Sequence, residues 1–192
     1  MLDRISFRSL AARLAGVGVA LLALFAPASA LQSGLTKEEA LRLAFPDCEI
    51  DHRIVYLTEK QLERAKKAAG VKVGSGICQP YVATKDGKLV GTAWFDVHKV
   101  RTKKEALMFV LDADHAIRRI EVLAFAEPTD YIPRDSWYAQ FKGKTLDDTL
   151  WLNRGIRGVT GATLTARATT ESARRILALH QESVVDPVPD EE

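Results

Sequence analysis

The stretch of sequence best suited to chemistry is Thr160-Gly-Ala-Thr163, which opens an amphipathic helical pattern. The first turn of a helix leaves backbone N–H groups unpaired, and the helix dipole adds about half a positive charge there. A phosphate group binds well at such a point, and Gly161 would let it approach the backbone closely. Thr165 adds a third hydroxyl. The pattern therefore suits a phosphate site, and it equally suits a threonine that only caps a helix.

The rest of the sequence contains no motif of a known catalytic centre. Paired carboxylates, a glycine-rich dinucleotide motif and a nucleophile elbow are missing from it. The four histidines are scattered without the spacing of metal ligands. Arg154 and Arg157, just before the threonine turn, are charges that could balance a phosphate. We therefore predict a binding site, with no catalytic residues and no metal.

The N-terminus has the pattern of a secretory signal peptide. Three arginines precede an apolar run of 13 residues, Leu14–Ala26, and an A-x-A cleavage site follows at Ala28–Ala30. The run is shorter than the roughly 20 residues that span a bilayer. We predict that residues 1–30 are removed and that the mature chain is periplasmic. The alternative is an uncleaved N-terminal anchor, which would make the protein membrane-associated.

The charge of the chain gives no indication of a nucleic-acid partner. The leader carries three Arg and one Asp, so the 27 basic and 25 acidic residues of the full chain leave 24 of each. Binding to nucleic acid or to an anionic membrane would need a clustered basic face, and we expect none.

Cys48 and Cys78 are the only cysteines. Their spacing excludes a C-x-x-C redox motif, and export favours oxidation. We predict that they pair, and the alternative is two free thiols.

Local signals predict an α+β fold in a single domain, residues 31–181. Capping boxes at Thr36 and Thr58 predict two helices, with a strand over 50–58 between them. Residues 81–125 suit an antiparallel meander of about four strands, with a hairpin turn at Asp86-Gly87. We expect the helices to pack on one face of this sheet.

The C-terminal third is predicted to contain a long connection and one long helix. Short helices are expected around 137–141 and 146–152, within a connection long enough to be a binding loop. The last helix should run from about Ala162 to His180. The polar, proline-containing residues 182–192 are predicted to be a disordered tail.

Three segments together resemble the FMN-binding domain family. They are TGATLT (160–165), EPTDYIPRDSW (127–137) and QFKGKTL (140–146). The family includes the C subunit of the sodium-pumping NADH:quinone oxidoreductase and the G subunit of the RNF complex. In this family a flavin transferase joins FMN, taken from FAD, through a phosphodiester to the last threonine of the motif, which is Thr163 here. The family usually has Asp three residues before the motif, where this chain has Arg157.

The resemblance implies a periplasmic electron-transfer flavoprotein with covalent FMN rather than a stand-alone enzyme. Its partners would be a flavin transferase and membrane-bound or periplasmic redox proteins. A flavin-dependent reductase of a small acceptor and a flavin-free binding module of the same fold are the alternatives. Glu127 could face the flavin or cap a strand end. The implied cofactor-binding residues are Thr160, Gly161, Ala162, Thr163, Leu164, Thr165, Glu127, Pro128, Tyr131 and Trp137.

Overall fold

The computed structural model describes residues 35–184. The predicted signal peptide lies outside these residues, as does the predicted tail from residue 185 onward. Residues 182–184 belong to the last helix, so the prediction of a tail beginning at 182 is wrong. No helix within 35–184 is long and apolar enough to cross a membrane.

The two predicted N-terminal helices are confirmed. Helix α1 spans Lys37–Ala44 and helix α2 spans Glu59–Ala69. Both begin with a complete capping box, in which the side chains of Thr36 and Thr58 each accept from a backbone N–H three residues later. Helix α2 ends at Gly70, whose φ of 63° is the left-handed conformation that favours glycine.

Residues 35–184 contain seven strands: β1 (Glu49–His52), β2 (Val55–Tyr56), β3 (Ile77–Cys78), β4 (Tyr81–Lys85), β5 (Lys88–Lys99), β6 (Lys104–Asp112) and β7 (Ile117–Phe125). The predicted four-stranded meander is β4 to β7, and β1 extends it to a five-stranded antiparallel sheet with the order β1-β4-β5-β6-β7. Asp86 and Gly87, with φ of 53° and 71°, make the tight turn between β4 and β5. A second, two-stranded sheet pairs β2 with β3.

The strand predicted over 50–58 is in fact two short strands, one in each sheet. Strand β1 pairs with β4, whereas β2 pairs with β3. Pro80 lies between β3 and β4, and it has no N–H to donate. The hydrogen-bonded pairing of these two chain segments is therefore interrupted near Pro80, and one strand pair lies on each side of the interruption.

Helices cover both faces of the main sheet, so the prediction that they share one face is wrong. Leu107, Phe109 and Leu111 of β6 belong to the core beneath the last helix, α4 (Thr163–Val184). The alternate residues Met108 and Val110 pack with α1 on the opposite face. The apolar run of β6 reflects this burial on both sides, because successive side chains of a strand point to opposite faces.

The connection between β7 and α4 contains one of the two predicted short helices. Helix α3 (Asp135–Tyr138) continues into a 3₁₀ turn, Ala139–Phe141. The helix predicted around 146–152 is not formed. There Asp147 Oδ1 accepts from the backbone N–H groups of Thr149 and Leu150, at 2.7 and 3.1 Å, and this aspartate turn replaces it.

A buried arginine on α4 joins this connection to the rest of the fold. The guanidinium of Arg174 donates to the carbonyls of Ala69 (2.7 Å) and Ala68 (3.1 Å), at the end of α2. It also donates to the carbonyl of Asp147, at 2.7 Å. The last carbonyls of α2 lack partners within the helix, so Arg174 satisfies them while it anchors the loop.

Both cysteines are free thiols, so the prediction of a disulfide is wrong. Cys48 packs in the cluster on the α1 side of the sheet, and Cys78 lies in the core on the α4 side. The sheet separates the two clusters. Burial raises the pKa of the Cys78 thiol to about 11, so it stays protonated at neutral pH.

Candidate functional site

A cavity of about 210 Å³ lies at the N-terminus of α4. It brings the threonine turn together with residues about 30 positions earlier in the chain. Seven of the ten implied cofactor-binding residues line it. The lining residues are Val100, Arg101, Glu127, Tyr131, Gly161, Ala162, Thr163, Leu164 and Thr165.

Thr165 joins the 127–131 segment to the first turn of α4. Its side chain is 1% exposed, and its hydroxyl donates to the backbone carbonyl of Tyr131 at 2.8 Å. The hydroxyl therefore has a structural partner already, and it holds the 127–131 segment against the first turn of α4.

Thr163 is the first residue of α4 and is exposed to solvent. The carbonyl of Ala162 accepts the first helical hydrogen bond, from the N–H of Ala166 at 2.9 Å. The N–H groups of Thr163, Leu164 and Thr165 thus belong to the turn that has no acceptor within the helix. The hydroxyl of Thr163 donates to the carbonyl of Val159 in a long bond of 3.3 Å.

Gly161 sets the direction in which the chain enters the helix. Its φ of 85° lies in the region that favours glycine, and a Cβ built there would meet no atom within 4 Å. The glycine is needed for the turn itself, and the space beside it is open to a ligand.

Glu127 caps the β5–β6 turn and also lines the cavity. Its carboxylate accepts from the backbone N–H groups of Thr102 (2.5 Å) and Lys103 (2.7 Å). These hydrogen bonds lower the pKa of Glu127, so the side chain is ionised at neutral pH. The same bonds hold Val100 and Arg101 beside the cavity.

Arg101 is a lining residue that the sequence analysis missed. It is exposed and comes from a turn about 60 residues before the motif, so local sequence gives no link between them. Its guanidinium can pair with an anion in a cavity that already borders a helix N-terminus.

The other three implied residues lie outside the cavity lining. Thr160 and Pro128 are exposed. Trp137 is 6% exposed, and its indole N–H donates to the carbonyl of Arg157 at 2.6 Å. Gln140 accepts from the backbone N–H of Arg157 at 3.0 Å. Trp137 therefore stabilises the loop that leads into the motif instead of facing the cavity.

The size of the cavity suits part of an FMN molecule. Pockets that enclose a small ligand usually measure about 300–1,000 Å³, which exceeds the volume here. Leu164 and Tyr131 border the opening and are 50% and 36% exposed, so a flat ring could lie across them. The anionic end of such a ligand fits the helix N-terminus and Arg101.

A larger cavity, of about 650 Å³, lies along β7 and α3. Its wall is mainly apolar, and three basic side chains (Arg118, Arg119, Lys142) and two acidic ones (Glu121, Asp135) border it. None of the implied cofactor-binding residues lines it.

A second polar region lies largely buried under the middle of α4, where Asp96, His98 and Arg175 also border a cavity of about 500 Å³. His98 is held between two carboxylates, with Nδ1 2.8 Å from Asp96 and Nε2 3.0 Å from Glu105. Asp96 also accepts from the Ser172 hydroxyl (2.6 Å) and from Arg175 (2.8 Å). We call these five residues the buried ionic network.

The buried ionic network has shifted pKa values. Burial disfavours the charged form of His98, but its hydrogen bonds to Asp96 and Glu105 outweigh burial and raise its pKa to about 9. Burial also acts against ionised Asp96, whose pKa is nevertheless lowered by His98 and Arg175. Both groups are charged at neutral pH. Within residues 35–184, no group of three or more His, Cys, Asp or Glu side chains could hold a metal ion.

Comparison with known protein families gave no matching family model, and comparison with curated proteins gave no significant match.

Proposed function

We propose that this protein is a periplasmic electron-transfer flavoprotein that carries FMN at the N-terminus of α4, joined through a phosphodiester to Thr163. One observation supports this most directly. Thr163 lines a cavity together with Glu127 and Tyr131, which come from the second segment that resembles the FMN-binding domain family.

The proposal gives each side of the cavity a role. The exposed hydroxyl of Thr163 is the attachment point. The phosphate would lie beside the first-turn N–H groups of α4 and the guanidinium of Arg101, which together offset its charge. Leu164 and Tyr131 would contact the ring, and bound FMN would supply the transfer of one or two electrons.

Covalent attachment suits a cavity that is partly open. A ligand that lies across exposed Leu164 and Tyr131 buries only part of its surface, so its non-covalent affinity is limited. Outside the cytoplasm a weakly bound cofactor would be lost by dilution. An ester bond to Thr163 makes retention independent of affinity.

The lining supports an electron carrier more than a reductase of small acceptors. Glu127 is the one carboxylate among the described residues that lines the cavity. It is ionised, and its oxygens already accept backbone N–H groups. It is therefore poorly suited to give a proton to a bound acceptor, which general acid catalysis would require.

Intact-mass measurement of the exported protein, co-expressed with a flavin transferase, tests the proposal. The wild type should gain the mass of FMN minus water, and Thr163→Ala should gain nothing. Thr160→Ala is the matched control, because it removes an exposed hydroxyl of the same turn but should keep the full gain. A full gain on Thr163→Ala would overturn the assignment.

A separate variant tests the position at which this chain differs from the family. If the wild type carries flavin that denaturant releases, Arg157→Asp should produce the covalent adduct. No adduct on either protein would reject covalent attachment.

A further inference from the structure

Four exposed basic side chains lie at the end of the β5–β6 hairpin, which supplies Val100 and Arg101 to the cavity at the N-terminus of α4. The backbone of this turn is bound to Glu127, which also lines the cavity. We call these four residues the basic rim: Lys99, Arg101, Lys103 and Lys104.

The basic rim is not neutralised by neighbouring acids. Among the described residues, none of its side chains forms an ion pair. Some basic side chains elsewhere do, as in Arg53–Asp51, Lys66–Glu63 and Arg119–Glu121. The nearby Glu127 carboxylate is already occupied by backbone N–H groups, so it offsets the rim only in part.

The four basic side chains of the rim lie within residues 99–104, and the fold places this turn beside the cavity. The near balance of charge in the whole chain conceals this local excess. A positive surface of this kind attracts and orients a negatively charged partner over distances of about 10 Å at moderate salt.

The opening of the cavity beside the rim is apolar. Leu164 and Tyr131 are 50% and 36% exposed, although both are large apolar side chains. An apolar centre inside a charged border is the usual composition of a protein–protein interface. This opening coincides with the proposed position of the flavin ring, where electrons would leave the protein.

We propose that the basic rim is the docking surface for an acidic electron-carrier protein, which covers Leu164 and Tyr131 when it binds. This inference rests on the proposed function, because the flavin gives the partner a reason to bind here. Contact at this surface brings the partner's redox group next to the ring. An apolar centre beside basic side chains matches the core and rim of a protein–protein interface, and binding to an anionic membrane is the competing outcome of the test.

The two ends of β5 provide matched variants for a test. Lys99 and Lys104 face each other across the last pair of the β5–β6 ladder, and Lys85 and Lys88 face each other across the first pair of the β4–β5 ladder. All four are exposed, and the two pairs lie about 36 Å apart along the strand. Lys99→Gln/Lys104→Gln and Lys85→Gln/Lys88→Gln change the net charge equally.

Binding is measured with an acidic plant-type ferredoxin as the probe, at about 20 mM and about 200 mM salt. Wild-type protein should bind it at low salt and release it at high salt. The Lys99/Lys104 double variant should weaken binding about tenfold, and the Lys85/Lys88 variant by less than about twofold. Vesicles containing phosphatidylglycerol serve as the competing probe.

Equal weakening by both double variants would overturn the proposal, because net charge alone would explain it. Failure of the wild type to bind ferredoxin, or tighter binding to the vesicles, would also overturn it. The binding assay works with or without bound flavin, and flavin content is measured separately by mass. Failure of the docking surface and failure of the flavin assignment therefore give different results.

Discussion

Helix α4 carries two polar regions with opposite properties. At its N-terminus, Thr163 is exposed and its neighbouring N–H groups have no acceptor in the helix. Under its middle, Ser172 and Arg175 are committed to Asp96, which in turn pairs with His98. The first region has polar groups that are free to bind a ligand, whereas the polar groups of the second region bind one another.

This difference distinguishes a candidate ligand-binding site, at the N-terminus of α4, from a polar network that stabilises the fold. Charged side chains in a cluster often suggest catalysis, and by type alone Asp96, His98 and Glu105 would be the obvious candidates. Both nitrogens of His98 are already bonded to carboxylates, so the ring has no free atom for a substrate. Unused polar groups at an accessible surface are the better indication of a ligand site.

The largest effect is expected from breaking the buried ionic network. His98→Ala leaves Asp96 and Glu105 buried without their shared cation, and we expect it to lower the free energy of unfolding by about 3–5 kcal/mol. Urea denaturation measures the change. His52→Ala, at an exposed ring stacked on Tyr81, is the control and should cost less than about 1 kcal/mol. Equal costs would show that the network is not structural.

The pH dependence of stability should identify His98 as well. Its pKa of about 9 in the folded protein exceeds its ordinary value of 6.5. Its contribution is therefore complete below pH 6.5 and lost as the pH rises through about 9. We expect unfolding free energy to fall by about 2–3 kcal/mol across this window, and His98→Gln to lack that fall. The same decline in His98→Gln would assign it to other groups.

Asp96 should affect the pH dependence of stability in acid, whereas His98 affects it in base. Because folding lowers its pKa below the ordinary 3.8, its contribution is present above that value and is lost as the pH falls. Urea denaturation in acid should show Asp96→Asn to be less sensitive to falling pH than the wild type. Equal sensitivity of the two proteins would contradict this assignment.

Smaller effects are expected at the open end of α4. Thr165→Val removes the 2.8 Å bond to the Tyr131 carbonyl and should lower the unfolding free energy by about 1–2 kcal/mol. Thr163→Ala, two residues away, should cost less than about 1 kcal/mol in flavin-free protein. Thermal or urea denaturation compares them. A larger cost for Thr163→Ala would mean that its hydroxyl has a structural role.

The smallest effect is expected at Tyr138. Its buried hydroxyl faces the Thr169 hydroxyl and the Glu105 carboxylate without a well-formed hydrogen bond to either, so Tyr138→Phe should change the unfolding free energy by less than about 0.5 kcal/mol. Trp137→Phe is the contrasting variant, since it removes the 2.6 Å bond to Arg157 and should cost more. A cost for Tyr138→Phe as large as that for Trp137→Phe would reveal a partner for the hydroxyl.

The features that sequence predicted correctly depend on neighbouring residues. The capping boxes at Thr36 and Thr58 and the turn at Asp86-Gly87 act within a few positions, so their residues suffice. The broken strand at 50–58 depends on Pro80, which lies between the two partner strands, and the free thiol of Cys78 depends on which face of the sheet it reaches. Neither feature can be predicted from the residues that neighbour it in the sequence.

The candidate site shows the same division. The turn around Gly161 and Thr163 was predictable because one short motif contains it. The role of Glu127 required its partners in the β5–β6 turn, and Arg101 required the hairpin to reach the helix N-terminus. Both contacts join residues that are far apart in the sequence, so no local sequence pattern predicts them.

The fixed backbone of Arg157 bears on the order of events during biogenesis. Its carbonyl and N–H are both held, by Trp137 and Gln140, so its side chain projects from a point that exists only after α3 has packed. A transferase that reads position 157 together with Thr163 would recognise a folded surface rather than an extended peptide. Flavin attachment would then be the last step of maturation, after export and folding, and incompletely folded chains would be left without cofactor.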